Sequence, residues 1–188
     1  MNVLSKEVGS IPSEAKTLLE IIKGRRSVRR FTREKVPKEH VFLLIEAARW
    51  APSAGNLQPW EFIIVTDDNI KYKLMEAALH QEYIYEAPVV IVAAANIPRT
   101  SNYYGKRGEE LYVIQDVAAA IQNILLMAHA LGLGAVWIGA FYEDRVKEIL
   151  RLPEYVRPLA IIPVGWPAER PYSPPRRSVD EIVHWETY

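Results

Sequence analysis

The chain has 188 residues, 49% of them hydrophobic and 24% charged, which suits one folded globular domain spanning 1–188 and excludes a disordered chain. It contains no cysteine, so disulfides, thiolate catalysis and cysteine-ligated metal clusters are excluded together. Net charge is zero, yet Lys23 to Lys38 holds eight basic residues and one acid, a local +7 that leaves −7 elsewhere and argues against a broad nucleic-acid face.

Residues 1–12 read as a flexible N-terminus; "MNVLSKEVGSIPSEAK" has no apolar run of a secretory signal, so a cytoplasmic protein is expected. Residues 13–23 are expected to form a helix capped by Ser13, striped by Leu18, Leu19, Ile21 and Ile22, and stopped by a left-handed Gly24. "SVRRF" follows as extended chain. A second helix runs from Pro37 to about Trp50, with Val41, Leu44, Ile45 and Ala48 at i, i+3, i+4 and i+7 as its buried face. "APSAGNLQPW" then forms an ordered loop.

"EFIIVT" (61–66) reads as a strand, with Asp67 or Asp68 capping a helix through Leu79. "APVVIVAAA" (87–95) fits a strand buried on both faces, and 96–108 a polar, aromatic loop. Glu109 to Leu131 is the longest helical pattern. Its alanines place it at the centre of the core, and Asp116, Gln122, Asn123 and His129 interrupt it too often for a membrane span. "AVWIGA" (135–140) is a strand, "EDRVKEIL" (143–150) a helix and "RPLAIIPVGW" (157–166) a last core strand. Residues 167–188, with four prolines from Pro167 to Pro175, form an arm that can lie extended across a neighbour. Interleaved helices and strands predict a layered α+β or α/β sandwich.

Several chemistries are missing. The histidines, 40, 80, 129 and 184, have no metal-ligand spacing, so no metal is expected, and His129 reads as a packing residue. There is no G-x-S-x-G, and "GLGAVWIG" follows a helix instead of a strand, which fails the test for a dinucleotide loop. Side-chain acid–base chemistry is not advertised, so a cofactor would have to carry a difficult step.

"GRRSVRRF" offers what a phosphate needs, because Arg supplies planar, bidentate donors. In extended chain Ser27 and Arg29 share a face with Arg25, while Arg26 and Arg30 point away and Arg30 is expected to meet one of the protein's own acids. A solvated basic turn is the other reading. In "PSAGNLQPW", Ser53, Asn56 and Gln58 place neutral hydrogen-bonding groups on a loop held by Pro52 and Pro59, which suits a heterocycle or a polyol; a capped helix-to-strand connection is the alternative.

"RRSVRRF", "AARWAPSAGNLQPWEFIIV", "AAAIQNILLMAHALGLGAVWIGAF", "PVGWP" and "PPRRSVDEIVHWE" resemble, in order, the flavin-dependent nitroreductase family from about Leu18 to the C-terminus. That resemblance implies an α+β three-layer sandwich with a central mixed sheet flanked by helices, and a C-terminal arm on a partner subunit. It implies a homodimer with FMN at the interface, NAD(P)H as donor, and ping-pong hydride transfer to nitroaromatics, quinones or similar small-molecule acceptors. The flavin residues it implies are Arg25, Arg26, Ser27 and Arg29; Pro52, Ser53, Ala54, Asn56 and Gln58 from the partner subunit; backbone at Ile138 and Gly139; and Arg176, with Arg177 as second choice. No side chain is expected to be a catalytic acid. Tyr103, Tyr104, Arg107, Trp137 and Phe141 are candidates to line the substrate pocket.

Two departures limit the transfer. "WIGAF" stands where many members have Glu before Gly, and the stretch from Thr66 to Glu109 is short, so a different lid is expected. A flavin-binding sensor or storage protein without turnover, a relative that dehalogenates or cleaves flavin, and nucleic-acid binding through 23–38 are the competing readings.

Overall fold

The computed structural model describes residues 11–188; residues 1–10, most of the expected flexible N-terminus, lie outside the described residues. In chain order the elements are α1 (Ser13–Gly24), α2 (Lys38–Arg49), β1 (Trp60–Val65), α3 (Asp68–Ala77), α4 (Tyr83–Glu86), β2 (Val89–Asn96), α5 (Ile97–Arg107), α6 (Val113–Ala130), β3 (Gly134–Ala135), α7 (Glu143–Leu150) and β4 (Val156–Gly165). The strands lie in the order β1-β2-β4-β3 with antiparallel ladders throughout. The parallel part of the expected mixed sheet is a single bridge, Ser27 beside Ala135 at the β3 edge.

β2 explains the layering. Its side chains alternate across the sheet, as any strand's must. Val89, Ile91, Ala93 and Ala95 enter a core with Leu44 of α2 and Val117, Ile121 and Ile124 of α6. Val90 and Val92 enter a second core with Leu74 of α3, Ile84 of α4 and Val146 of α7. Helices therefore cover both faces of an antiparallel sheet, an α+β three-layer arrangement. Apolar on both faces, β2 reads in sequence as an unbroken hydrophobic run.

α6 is the central helix, with Val113, Val117, Ala120, Ile121, Ile124, Leu125 and Ala128 buried. The helical stretch Ile97–Ala130 is long and apolar enough to cross a membrane by length and composition alone. It is not one rod. Gly105 (φ 56, ψ −143) kinks it, a π turn at Gly108–Tyr112 follows, and α6 then packs against α2 and the sheet.

Several expectations are corrected. Residues 96–108 form helix α5 and not a loop: Pro98 sits in the first turn, where its missing N–H costs nothing, and Thr100 is fully buried. Ser13 does not cap α1; Pro12 precedes the helix and the Ser13 hydroxyl donates to Glu14. Gly24 is not left-handed. A Cβ there would lie 2.4 Å from His129 Nε2, so close approach is what demands glycine. Asp67 does cap α3, accepting from the Ile70 N–H at 3.0 Å. That helix ends at Ala77, before Leu79 and His80, both left-handed at φ 58. "AVWIGA" pairs only at Ala135, through β3, and at Ile138.

The C-terminal segment begins on its own chain. Phe31 bridges Pro167 and the Ala168 N–H donates to the Arg30 carbonyl at 2.9 Å. From Tyr172 onward its residues are exposed, with one short turn closed by Ser178 and Glu181.

Candidate functional site

Three pieces of backbone carry the expected residues, and α6 organises two of them. At its C-terminal end His129 packs against Gly24, where α1 stops and the arginines begin. Arg26 folds back: its Nη1 donates to the carbonyls of Lys23 (2.6 Å) and Arg25 (2.7 Å), which places a cation on the negative end of α1. Its guanidinium is therefore partly committed to the helix.

Arg25 is half-buried beside Arg26 and Arg176. Burial, then the charges of Arg176 and Arg26, hold its proton affinity below that of a free guanidinium. Among the described residues no acid forms an ion pair with Arg25, Arg26 or Arg176. Arg176 Nη1 donates to the carbonyls of Pro174 and Pro175, both at 3.1 Å. Arg177 turns instead to the Glu181 carbonyl at 2.7 Å. His129 faces the same cluster. Burial first, and then the charges of Arg25 and Arg26, lower its pKa below that of a free imidazole.

Ser27 bridges Ala135, and Val28 donates its N–H to the Ala135 carbonyl at 3.1 Å. Val28 is buried, which turns Ser27 and Arg29 to the other side of the extended chain. Among the described residues Arg30 does not meet an acid as expected. The nearby carboxylate, Glu169, takes the Arg29 N–H at 2.5 Å instead.

At the other end of α6 lies the 52–58 loop, with Pro52 exposed at its start. Gly55, Asn56 and Gln58 all have positive φ (55, 56 and 49), an irregular turn that needs outside support. Ser53 Oγ accepts from the Gln58 N–H at 3.0 Å. Gln58 Nε2 donates to the Asn56 carbonyl and to Asn56 Oδ1, both at 3.2 Å. Among the described residues, those bonds leave Asn56 Nδ2 as a free donor and Gln58 Oε1 as a free acceptor on an exposed edge.

The loop is held from two sides. Arg99 of α5 donates to the Gln58 carbonyl at 3.1 Å, and the Tyr104 hydroxyl sits 2.7 Å from where a Gly55 Cβ would project. Below, Asp116 of α6 accepts from the Ala54 N–H at 3.0 Å. Sequence reading missed this role for Asp116. The signal was present: a lone acid on the same helical face as Val113, Val117 and Ala120 must be buried and needs a partner.

The third piece narrows an expectation. Ile138 exchanges both backbone bonds with Ile161 (2.9 and 3.0 Å), so its N–H is not free for a ligand. Gly139 is exposed and has no backbone partner among the described residues. Of the pocket candidates, Phe141 packs into the second core, while Trp137 and Tyr103 are exposed and Arg107 donates to the Tyr112 hydroxyl at 2.9 Å. An open cleft of about 610 Å³ lies elsewhere, lined by Glu76, Leu79, His80, Tyr142, Asp144 and Arg145 between α3 and α7.

Comparison with known proteins bears on these pieces together. A family model described as "Nitroreductase family" matches residues 22–82 and 75–166. A Methanothermobacter thermautotrophicus protein, provisionally named NADH dehydrogenase/NAD(P)H nitroreductase, is 39% identical over 160 residues, covering 82% of this chain and 79% of its own. The FMN reductase [NAD(P)H] of Bacillus subtilis is 34% identical, covering 90% and 74%. The structure of the NADPH:FMN oxidoreductase of Vibrio harveyi, complexed with NAD+, superposes with a TM-score of 0.83 at 29% identity, covering 91% of this chain and 77% of that one.

Proposed function

Because this chain belongs to the nitroreductase family, we propose that it is an FMN-dependent oxidoreductase that takes electrons from NAD(P)H and delivers them to nitroaromatics, quinones or similar acceptors. The carrying observation is the Arg25–Arg176 pair. Two guanidinium groups from opposite ends of the chain lie near enough for Arg176 to lower the proton affinity of Arg25, and among the described residues no acid pairs with either. Like charges gathered this way call for an anion, and a terminal phosphate matches their planar donors.

The 52–58 loop supports the same cofactor. Its free Asn56 donor and Gln58 acceptor suit the alternating carbonyl and imide groups along a flavin ring's polar edge. Gly139 supplies an open backbone N–H toward a ring nitrogen, and Ser27 and Arg29 face the ligand side beside Arg25.

Asp116 and His129 lie 13 positions apart on α6, so the loop and the arginines are separated by roughly 20 Å along one helix. Both meet one flavin most simply when a second copy runs the opposite way. On this reading Pro52, Ser53, Ala54, Asn56 and Gln58 serve the partner's cofactor, and the 167–188 arm crosses the interface. The whole chain, 1–188, acts as one domain of a cytoplasmic homodimer.

Bound FMN supplies the two-electron chemistry. The chain's own groups bind and orient it, and donate hydrogen bonds where negative charge develops on reduction.

Arg25→Ala tests the reading. Loss of one charged donor weakens FMN binding roughly 10–150-fold, while riboflavin, which lacks the phosphate, changes far less. Equal losses for both would remove the phosphate role, and a wild-type protein that takes up no FMN would remove the function. Oxidation of NADH or NADPH with menadione present separates an enzyme from a storage protein.

A further inference from the structure

Asp116 is only 6% exposed, and its two carboxylate oxygens are treated differently. One accepts the Ala54 N–H at 3.0 Å; the other, Oδ2, is buried with no partner among the described residues. A buried carboxylate with one hydrogen bond is an expensive choice, where an apolar residue would fill the same face of α6. The bond it makes is well placed. Ala54 opens the turn whose next residues, Gly55 and Asn56, are left-handed, and Gln58 follows at φ 49. The other anchors act later in the turn or on its surface, through Ser53 Oγ, Arg99 and Tyr104.

We propose that Asp116 is a positioning residue for the flavin loop: without touching the cofactor, its carboxylate pins the Ala54 N–H and so holds the Ser53, Asn56 and Gln58 side chains in their binding arrangement. This rests on the FMN reading given above. The burial that pushes the Asp116 pKa upward is consistent with a group retained for its acceptor and not for stability.

Three variants test it. Asp116→Ala removes the acceptor and weakens FMN binding by roughly tenfold or more, the scale of one buried hydrogen bond. Asp116→Asn keeps an oxygen for Ala54 and stays within about threefold of wild type. Ala54→Pro removes the donor from the other side. The extended backbone of Ser53 (φ −144, ψ 154) already suits a following proline, so the turn can still form. It weakens FMN binding, and adding Asp116→Ala to it weakens binding no further, because the bond they share is already gone.

A second readout is independent of flavin: amide hydrogen exchange at Ala54 is slow in the wild type and in Asp116→Asn, and fast in Asp116→Ala. Asp116→Ala binding FMN like wild type, Asp116→Asn failing as Asp116→Ala does, or Ala54 exchanging equally in all three overturns the proposal. Wild-type protein that binds no FMN overturns the functional reading instead, and Ala54 exchange then still reports on the latch.

Discussion

At the scale of single residues, the site is organised by what α6 presents at its two ends. Gly24 is required by His129 and not by its own backbone, since its φ is unexceptional and only the ring stands where a Cβ would go. Gly24→Ala therefore destabilises the protein by about 1 kcal/mol, as crowding outweighs the helix propensity gained. Adding His129→Ala abolishes the effect, and urea unfolding of the single and double variants measures it. Asp116 gives a pH dependence whose sign follows from its raised pKa. The folded state holds the proton more tightly than the unfolded chain, so ionising Asp116 costs stability. That cost is absent below the unfolded value of 3.8 and complete above the folded one. The difference in unfolding free energy between Asp116→Asn and wild type accordingly moves in the variant's favour as pH rises from the unfolded value through the raised folded one. A flat difference across that range would show that Asp116 is not buried as described.

At the scale of elements, legibility followed periodicity. α2, β2, α7 and β4 announced themselves because the helices bury a regular apolar stripe and the strands an unbroken apolar run, and their bounds fall within a residue or two of expectation. α5 was hidden. "NIPRTSNYYGKRG" turns only Ile97, Thr100 and the terminal Gly108 inward; its proline and glycines read as loop punctuation, yet Pro98 starts the helix and Gly105 kinks it. β3 was overextended because "AVWIGA" has strand composition, while the edge it joins offers pairing at only a few positions. The site shows the same division. The arginines and the Ser–Asn–Gln loop are local motifs and could be read directly. Asp116 under Ala54 and Arg176 beside Arg25 join distant parts of the chain, which spacing alone does not reveal. Gly105 carries the prediction at this scale. A Cβ there meets nothing within 4 Å, so Gly105→Ala tests backbone strain alone. At φ 56 and ψ −143 it costs roughly 1–3 kcal/mol, read as a lowered melting temperature. A variant as stable as wild type would show that α5 runs straight through this position.

At the scale of the molecule, the unexplained surface is apolar. α1 buries none of its residues, and Leu18, Leu19 and Ile22 lie exposed along it; Phe42 and Trp50 of the α2 region are 72% and 73% exposed. The C-terminal segment adds Val179, Ile182 and Trp185. A stable monomer seldom leaves so many large apolar side chains in water. Cover by a second copy would account for them and for the placement of the two proposed half-sites at opposite ends of α6. The two demands are then one, and they should fail together. Light scattering is expected to give a dimer, with a melting temperature that falls on dilution because folding and association are linked. Phe42→Asp, which places a charge on the exposed apolar face at a position not assigned to the flavin, is expected to yield monomers that lose FMN although Arg25 and Arg176 are intact. Monomers that keep their flavin at wild-type affinity would mean that one chain completes the site, and that the loop held by Asp116 serves the cofactor of its own subunit.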